Sequence, residues 1–275
     1  MGEDWTLAEN EIIVSNYFEM LLLELDGIPF NKSEHRRKIE PLLNRSHKSL
    51  ENKHQNISAI LYKIGLPHIK GYAPYGNFQK LTEQVILEYL ERNKNLEKEF
   101  MSFATAQVTT PKQVDFKNWE EKPPKPKKIK EPTINFDRVV KRNYLEIEQR
   151  NRATGDAGEQ LVFDYEKWRL SNLGFSKLAK QIVWVSKEEG DGAGYDILSK
   201  NINGSNIYIE VKSTKSGIDT PIFFSKKENE FSKIKNSDFY LYRVFDLKRE
   251  PKFFYKNGRL EDICKVEAIN FRGLF

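Results

Sequence analysis

The stretch that decides the fold is GYDILSKNINGSNIYIEVK, residues 194–212. Two runs rich in aromatic and β-branched residues, 194–199 and 206–212, flank the turn-forming pair Asn203 and Gly204, a pattern typical of a β-hairpin. Because successive side chains of a strand point to opposite faces, the second run should carry Tyr208, Glu210 and Lys212 on one face. The hairpin therefore predicts a carboxylate and an ammonium group side by side.

The length of the turn decides whether Asp196 meets Glu210. If residues 202–204 form a three-residue loop with Gly204 in the left-handed bulge position, Asp196 falls directly opposite Glu210. A two-residue turn at Asn203 and Gly204 would instead set Asp196 opposite Val211. The sequence leaves both registers open.

The elements around the hairpin predict a sheet covered by helices. Helices are expected at 137–151 and 156–172 and a strand at 181–186 before the hairpin; a helix opened by a capping box from Ser225 to Glu228 and a strand at 238–247 follow it. The order is α-β-β-β-α-β. The last strand is apolar on both faces, as expected for a strand in the middle of such a sheet.

Two carboxylates held close together repel each other unless a cation lies between them. Mg²⁺ suits Asp196 and Glu210, because it accepts carboxylate, water and phosphate oxygens. Lys212 could orient an attacking water or stabilise negative charge developing on a phosphate. Glu159 is a third acid near the start of the helix 156–172, where Gly158 permits close approach to the sheet. Glu159 would either join the metal site, directly or through water, or stabilise the helix by interacting with its dipole.

Several runs together resemble a known family: GDAGEQLVFDYE, GDGAGYDILS, IYIEVKST, FFSKKENEF and FYLYRVFD. They are similar to the NO VEIN C-terminal domain family, a branch of the PD-(D/E)xK nuclease superfamily, over roughly residues 137–247. The resemblance implies metal-binding and catalytic places for Asp196, Glu210 and Lys212, and the acidic place on the first helix for Glu159. Gly-Tyr-Asp stands where the superfamily motif has Pro-Asp, which leaves the carboxylate intact.

The N-terminal part predicts an all-α domain. Thr6 and Glu9 form a capping box before one helix, and further helices are expected at 33–43, with Ser33 as N-cap, at 47–64 and at 78–100. The second and third helices resemble a helix-turn-helix, and this module is similar to those of bacterial restriction-type nucleases. We expect the third helix and the turn before it to contact DNA through Arg45, Ser46, Ser49, Lys53 and Asn56. Lys53 and Asn56 would read bases, and Arg45 and Ser49 would bind phosphates.

Composition sets limits on the chemistry. The single cysteine, Cys264, excludes an internal disulfide and a zinc site of several thiolates, and all four histidines precede residue 69. Without imidazole, the C-terminal part must rely on carboxylates and lysine. The net charge of +5 permits a nucleic-acid partner. No apolar run approaches the roughly 20 residues that span a bilayer, so we expect a cytosolic protein without a membrane partner.

These features predict an α+β or α/β protein with three parts. They are a helical DNA-recognition domain at 1–108, a basic, proline-rich linker at 109–135 and a PD-(D/E)xK domain at 136–275. The linker is either a spacer or a phosphate-binding strap. The expected activity is Mg²⁺-dependent cleavage of double-stranded DNA by an endonuclease of restriction or phage-defence type, acting as a homodimer because two strands require two sites. The alternatives are a catalytically inert nuclease fold that binds DNA or a partner, and an RNA or tRNA nuclease.

Overall fold

A computed structural model describes residues 4–108, 114–124, 142–190 and 192–269. The chain divides into two compact units. Among the described residues, unit 1 comprises 4–107, 142–151 and 215–221, and unit 2 comprises 108, 114–124, 152–190, 192–214 and 222–269. Within those residues, no helix combines the length and the apolar character needed to cross a membrane.

Unit 1 is helical, as the sequence predicts. Its helices are α1 (Leu7–Asp26), α2 (Lys32–Leu43), α3 (His47–Lys63), α4 (Lys80–Arg92), α5 (Leu96–Thr105) and α6 (Tyr144–Gln149). The predicted capping box of Thr6 and Glu9 is present. One apolar core holds the unit together, with Tyr17, Phe18 and Leu21 of α1 among its buried members.

Three details of unit 1 differ from the sequence prediction. The N-cap of α2 is Asn31, whose side chain accepts a hydrogen bond from the Ser33 N–H, so Ser33 already lies inside the helix. The helix predicted at 78–100 is two helices, α4 and α5, separated at residues 93–95. Of the helix predicted at 137–151, residues 137–141 lie outside the described ranges. In the remainder, α6 begins only at Tyr144, after its N-cap Asn143. Tyr144 of α6 is buried in the core of unit 1.

Unit 2 contains a five-stranded mixed sheet in the order β1-β2-β3-β4-β5. The strands are β1 (Val183–Trp184), β2 (Ile197–Lys200), β3 (Asn206–Ser213), β4 (Phe239–Phe245) and β5 (Lys252–Asn257). β3 and β4 are parallel, and the other neighbouring pairs are antiparallel. The helices are α7 (Arg152–Asn172), α8 (Ser176–Ala179), α9 (Val185–Glu189), α10 (Lys226–Lys235) and α11 (Leu260–Ile263).

The hairpin has the register that the three-residue loop predicts. Ile197 pairs with Ile209, and Leu198 pairs with Tyr208. Gly204 has a φ of 85° and donates its N–H to the carbonyl of Asn201 at 2.9 Å. A left-handed residue closes this loop, and glycine adopts that conformation without a steric penalty. The paired residues therefore have the register of the three-residue loop, and the two-residue turn, which would set Asp196 opposite Val211, is wrong. Asp196 directly precedes the first paired residue of β2.

The other strands follow the prediction in part. The strand expected at 181–186 contains only two paired residues, because α9 begins at Val185. The helix with the Ser225–Glu228 capping box is present as α10, and the strand expected at 238–247 is present as β4. β4 is buried between β3 and β5, as predicted. β5 was not predicted.

Helix α7 packs closely on one face of the sheet, on the side of Ile209 and Val211. A Cβ built on Gly158 would lie 2.7 Å from the Cβ of Ser213 and closer still to its Oγ. Only glycine fits at this crossing, which confirms the close approach predicted for Gly158.

A buried carboxylate also fixes α7 to the sheet. Glu166 is fully buried and accepts hydrogen bonds from Arg169 at 2.9 and 2.6 Å, from Ser199 at 2.6 Å and from Tyr242 at 2.9 Å. Ser199 belongs to β2 and Tyr242 to β4. The network therefore joins α7 to two strands through one carboxyl group whose two oxygens both accept hydrogen bonds.

The described part of the predicted linker, residues 114–124, packs in unit 2. Trp119 is 1% exposed, and its ring lies 4.3 Å from that of Phe253 on β5. The Glu121 N–H donates to the carbonyl of Phe253 at 2.7 Å. This segment is thus part of the domain core rather than a spacer, and the lysines from Lys125 to Lys130 lie outside the described residues.

Candidate functional site

Backbone hydrogen bonds on both sides hold Asp196 in place. Its N–H donates to the carbonyl of Ile209 at 2.9 Å, and its carbonyl accepts from Val185 at 2.8 Å and Ser186 at 3.1 Å. Its carboxylate Oδ2 accepts the N–H of Val211 at 2.7 Å. The start of α9, which replaces the second half of a predicted strand, thus supplies two of the bonds that orient the first acidic residue.

Glu210 and Lys212 lie on the face of β3 that the alternation predicts, the face next to α10. Glu210 is 2% exposed, and its Oε1 lies 2.7 Å from the ammonium nitrogen of Lys212. Lys212 also contacts Oε2 of Glu228, at 3.1 Å. The ammonium group is therefore held between a carboxylate of the strand and a carboxylate of the helix.

Glu159 lies on α7 and is engaged by two neighbours. Its Oε2 accepts hydrogen bonds from the indole Nε1 of Trp184 at 2.7 Å and from the hydroxyl of Ser186. The helix starts at Arg152, so Glu159 lies in its second turn. The helix-dipole effect is confined to the first turn, so an interaction with the helix dipole does not account for Glu159.

Burial and like charge shift the acids in the same direction. Burial, followed by the charge of Glu159, raises the pKa of Asp196 to about 8. Burial, followed by the charge of Asp196, raises the pKa of Glu210 well above its usual value. Burial alone would lower the pKa of Lys212, but the charges of Glu210 and Glu228 outweigh it and raise the pKa. The charges of Asp196, Glu210 and Lys212 therefore act on one another and form one cluster.

Carboxylates such as those of Asp196 and Glu210 are ligands that hard divalent cations accept. Within residues 4–108, 114–124, 142–190 and 192–269, no three side chains of the His, Cys, Asp or Glu type form a group that could hold a metal ion. Mg²⁺, however, is commonly bound through one or two carboxylates together with water and phosphate oxygens. Burial and a neighbouring carboxylate raise the pKa of both Asp196 and Glu210, and a bound cation would offset the repulsion between the carboxylates.

The structure places two of the predicted DNA-reading residues inside unit 1. Lys53 is 4% exposed, donates to Gln79 at 3.1 Å and Thr82 at 3.0 Å, and burial lowers its pKa to about 8. Asn56 is 7% exposed and donates to the carbonyls of Tyr75 at 2.8 Å and Asn77 at 3.1 Å. Neither side chain is presented to a partner, because both stabilise the segment after α3.

The other predicted DNA contacts lie nearer the surface. The guanidinium of Arg45 is paired with Glu9, with a shortest distance of 2.6 Å, and donates to the carbonyl of Asp4 at 2.9 Å. Ser46 is the exposed N-cap of α3 and accepts from the N–H of the half-buried Ser49 at 3.3 Å. Of the five residues, Ser46 alone is classed as exposed.

Three residues of the site were not predicted: Glu228, Trp184 and Ser186. The capping box identifies Glu228 as a helix-start residue, and the alternation of β3 places Lys212 on the face covered by the following helix. Together these two signals could have indicated the contact. Trp184 and Ser186 carry no such signal, because their contact with Glu159 depends on how β1 packs beside α7.

Unit 2 thus defines a class: an α+β domain whose mixed sheet presents a buried and a half-buried carboxylate beside a lysine. Residues 158–256 match the family model described as Protein NO VEIN, C-terminal. This match confirms the family resemblance for this part of the chain. No curated protein and no solved structure matched the chain.

Proposed function

We propose that the protein is a metal-dependent DNA endonuclease of restriction or phage-defence type. The observation that supports this most is the cluster of Asp196, Glu210 and Lys212, whose charges act on one another although 13 residues separate the two acids in sequence. Membership of the domain in the PD-(D/E)xK superfamily is part of the proposal. The succession α7, β1, β2, β3, α10 and β4, interrupted by the short helices α8 and α9, supports it.

Each residue of the cluster has a role in phosphodiester hydrolysis. Asp196 and Glu210 would hold Mg²⁺, and Glu159 would adjust the negative charge around Asp196. A bound Mg²⁺ would polarise the scissile phosphate and lower the pKa of a coordinated water. The Lys212 ammonium can donate a hydrogen bond to the attacking water or to a phosphate oxygen, stabilising the charge that develops there.

The test is incubation of plasmid and phage DNA with the protein in Mg²⁺ and in EDTA. The wild type should cleave only with Mg²⁺, and Lys212→Ala should lower the rate by about 100-fold or more. Lys200→Ala, on the neighbouring strand, is the matched control and should stay near the wild-type rate. Full activity of Lys212→Ala would remove this residue from the mechanism.

Cleavage of neither modified nor unmodified DNA would favour the second candidate, an inert nuclease fold that binds DNA or a partner. DNA binding that does not respond to Mg²⁺ would support that candidate. Cleavage assays with RNA beside DNA test the remaining alternative, an RNA or tRNA nuclease. Sedimentation of the protein with and without duplex DNA tests the proposed homodimer.

A further inference from the structure

Glu228 holds Lys212 from a fixed position at the start of α10. Its Oε2 accepts the N–H of Ser225 at 2.7 Å, and its own N–H donates to Oγ of Ser225 at 3.2 Å. The same Oε2 contacts the Lys212 ammonium at 3.1 Å. The backbone N–H of Ser225 therefore holds the carboxylate that faces the lysine.

A cation at Asp196 and Glu210 would change the balance around Lys212. Glu210 now provides the shorter of the two ion pairs of this lysine, 2.7 Å against 3.1 Å. An oxygen bound to a divalent ion gives up much of its attraction for an ammonium group. The Lys212 side chain is 17% exposed, and a largely buried charge that loses its partner is strongly destabilised.

We infer that Glu228 is a positioning residue, which retains the Lys212 ammonium beside the acidic pair when a divalent cation draws Glu210 away. This rests on the proposed metal-dependent function and adds a residue to it. Glu228 does not touch the reacting phosphate. It acts through Lys212, by providing the second carboxylate that allows Glu210 to be shared with a metal.

Two variants separate this role from helix capping. Glu228→Gln keeps an oxygen that can accept the Ser225 N–H, since Gln serves as well as Glu in a capping box, but it removes the charge beside Lys212. Ser225→Ala removes the capping hydroxyl and keeps the carboxylate. Circular dichroism and melting temperatures of both variants report how far α10 is affected.

The full-length protein is titrated with Mn²⁺, with free Mn²⁺ measured by electron paramagnetic resonance, and plasmid cleavage is measured in Mg²⁺. Glu228→Gln should weaken Mn²⁺ binding by about tenfold, the size expected for one charge-assisted hydrogen bond. It should also lower kcat with little change in KM for DNA, because a misplaced Lys212 affects the reaction more than binding. Ser225→Ala should leave Mn²⁺ affinity and kcat near those of the wild type.

A double-mutant cycle shows whether the effect passes through Lys212. In a Lys212→Gln background, Glu228→Gln should no longer change Mn²⁺ affinity. A persisting effect would mean that Glu228 attracts the metal directly, and it would overturn the inference.

The remaining outcomes separate this inference from the proposed function. Equal behaviour of Glu228→Gln and Ser225→Ala, or absence of Mn²⁺ binding by the wild type, would also overturn the inference. A further outcome is that Glu228→Gln binds Mn²⁺ more weakly, that this effect requires Lys212, and that the protein cleaves no DNA. This outcome would support the inference and remove the nuclease proposal.

Discussion

The contact between α7 and β3 gives a prediction whose sign can be worked out. In an exposed helix, replacing glycine with alanine stabilises the fold by roughly 1 kcal/mol. At Gly158 the added Cβ would lie 2.7 Å from the Cβ of Ser213. Unstrained carbon atoms approach to about 3.5 Å, so helix and strand would have to separate by roughly 0.8 Å at this point.

This separation should outweigh the gain in helix propensity. Forcing an extra methyl group into a packed core costs about 1–3 kcal/mol, and several apolar contacts of α7 with the sheet would loosen at once. After subtracting the propensity gain of roughly 1 kcal/mol, we expect Gly158→Ala to lower the free energy of unfolding by up to about 2 kcal/mol.

Urea unfolding followed by tryptophan fluorescence measures this loss. Gly155→Ala is the matched control, because a Cβ there meets only Oε1 of Glu159, at 3.8 Å; this variant should be neutral or slightly more stable. Combining Gly158→Ala with Ser213→Gly should recover part of the loss, with a coupling energy of about 1 kcal/mol. Equal stability of the two alanine variants would refute the close packing of α7 on β3.

Three further predictions concern contacts away from this crossing. Glu166→Ala should lower the free energy of unfolding by about 3–5 kcal/mol, because Arg169 loses its buried partner; a negligible loss in urea unfolding would contradict this. The hydrogen bond from Arg45 lowers the pKa of Glu9 from 4.5 to about 2, so the stabilisation by this pair is fully present above pH 4.5 and is lost as the pH falls towards 2. Acid unfolding curves of wild type and Glu9→Gln should therefore converge over that interval, and a constant difference would show that the pair is not responsible. Lys53→Met should leave DNA affinity within about twofold, since clustered surface lysines rather than buried ones bind phosphates; a large loss in fluorescence anisotropy at unchanged melting temperature would place Lys53 on the surface.

Local patterns predicted much of the fold correctly. The structure confirms features that depend on residues close in sequence. They are the alternation in β3, the left-handed Gly204 and the capping boxes of α1 and α10. For the hairpin register the sequence left two possibilities, and the structure has the one that the three-residue loop predicts. The shared face of Glu210 and Lys212 followed from the pleat of one strand.

Contacts between distant residues account for what the sequence did not predict. Val185 and Ser186 form the start of a helix whose N–H groups donate to Asp196, although their residue types favour a strand. Lys53 and Asn56 have the side chains of a DNA-reading helix, but their hydrogen-bond partners lie 19 to 29 residues further along the chain. Residue type alone does not show whether such a side chain faces inwards.

The way Asp196 is anchored has a practical consequence. Three of its four hydrogen bonds involve its own backbone, and the fourth requires only an oxygen that accepts the Val211 N–H. Asparagine has such an oxygen and nearly the same shape, but no negative charge. Asp196→Asn therefore offers a folded, charge-neutral version of the protein, suited to capturing a nucleic-acid target intact and identifying it by sequencing.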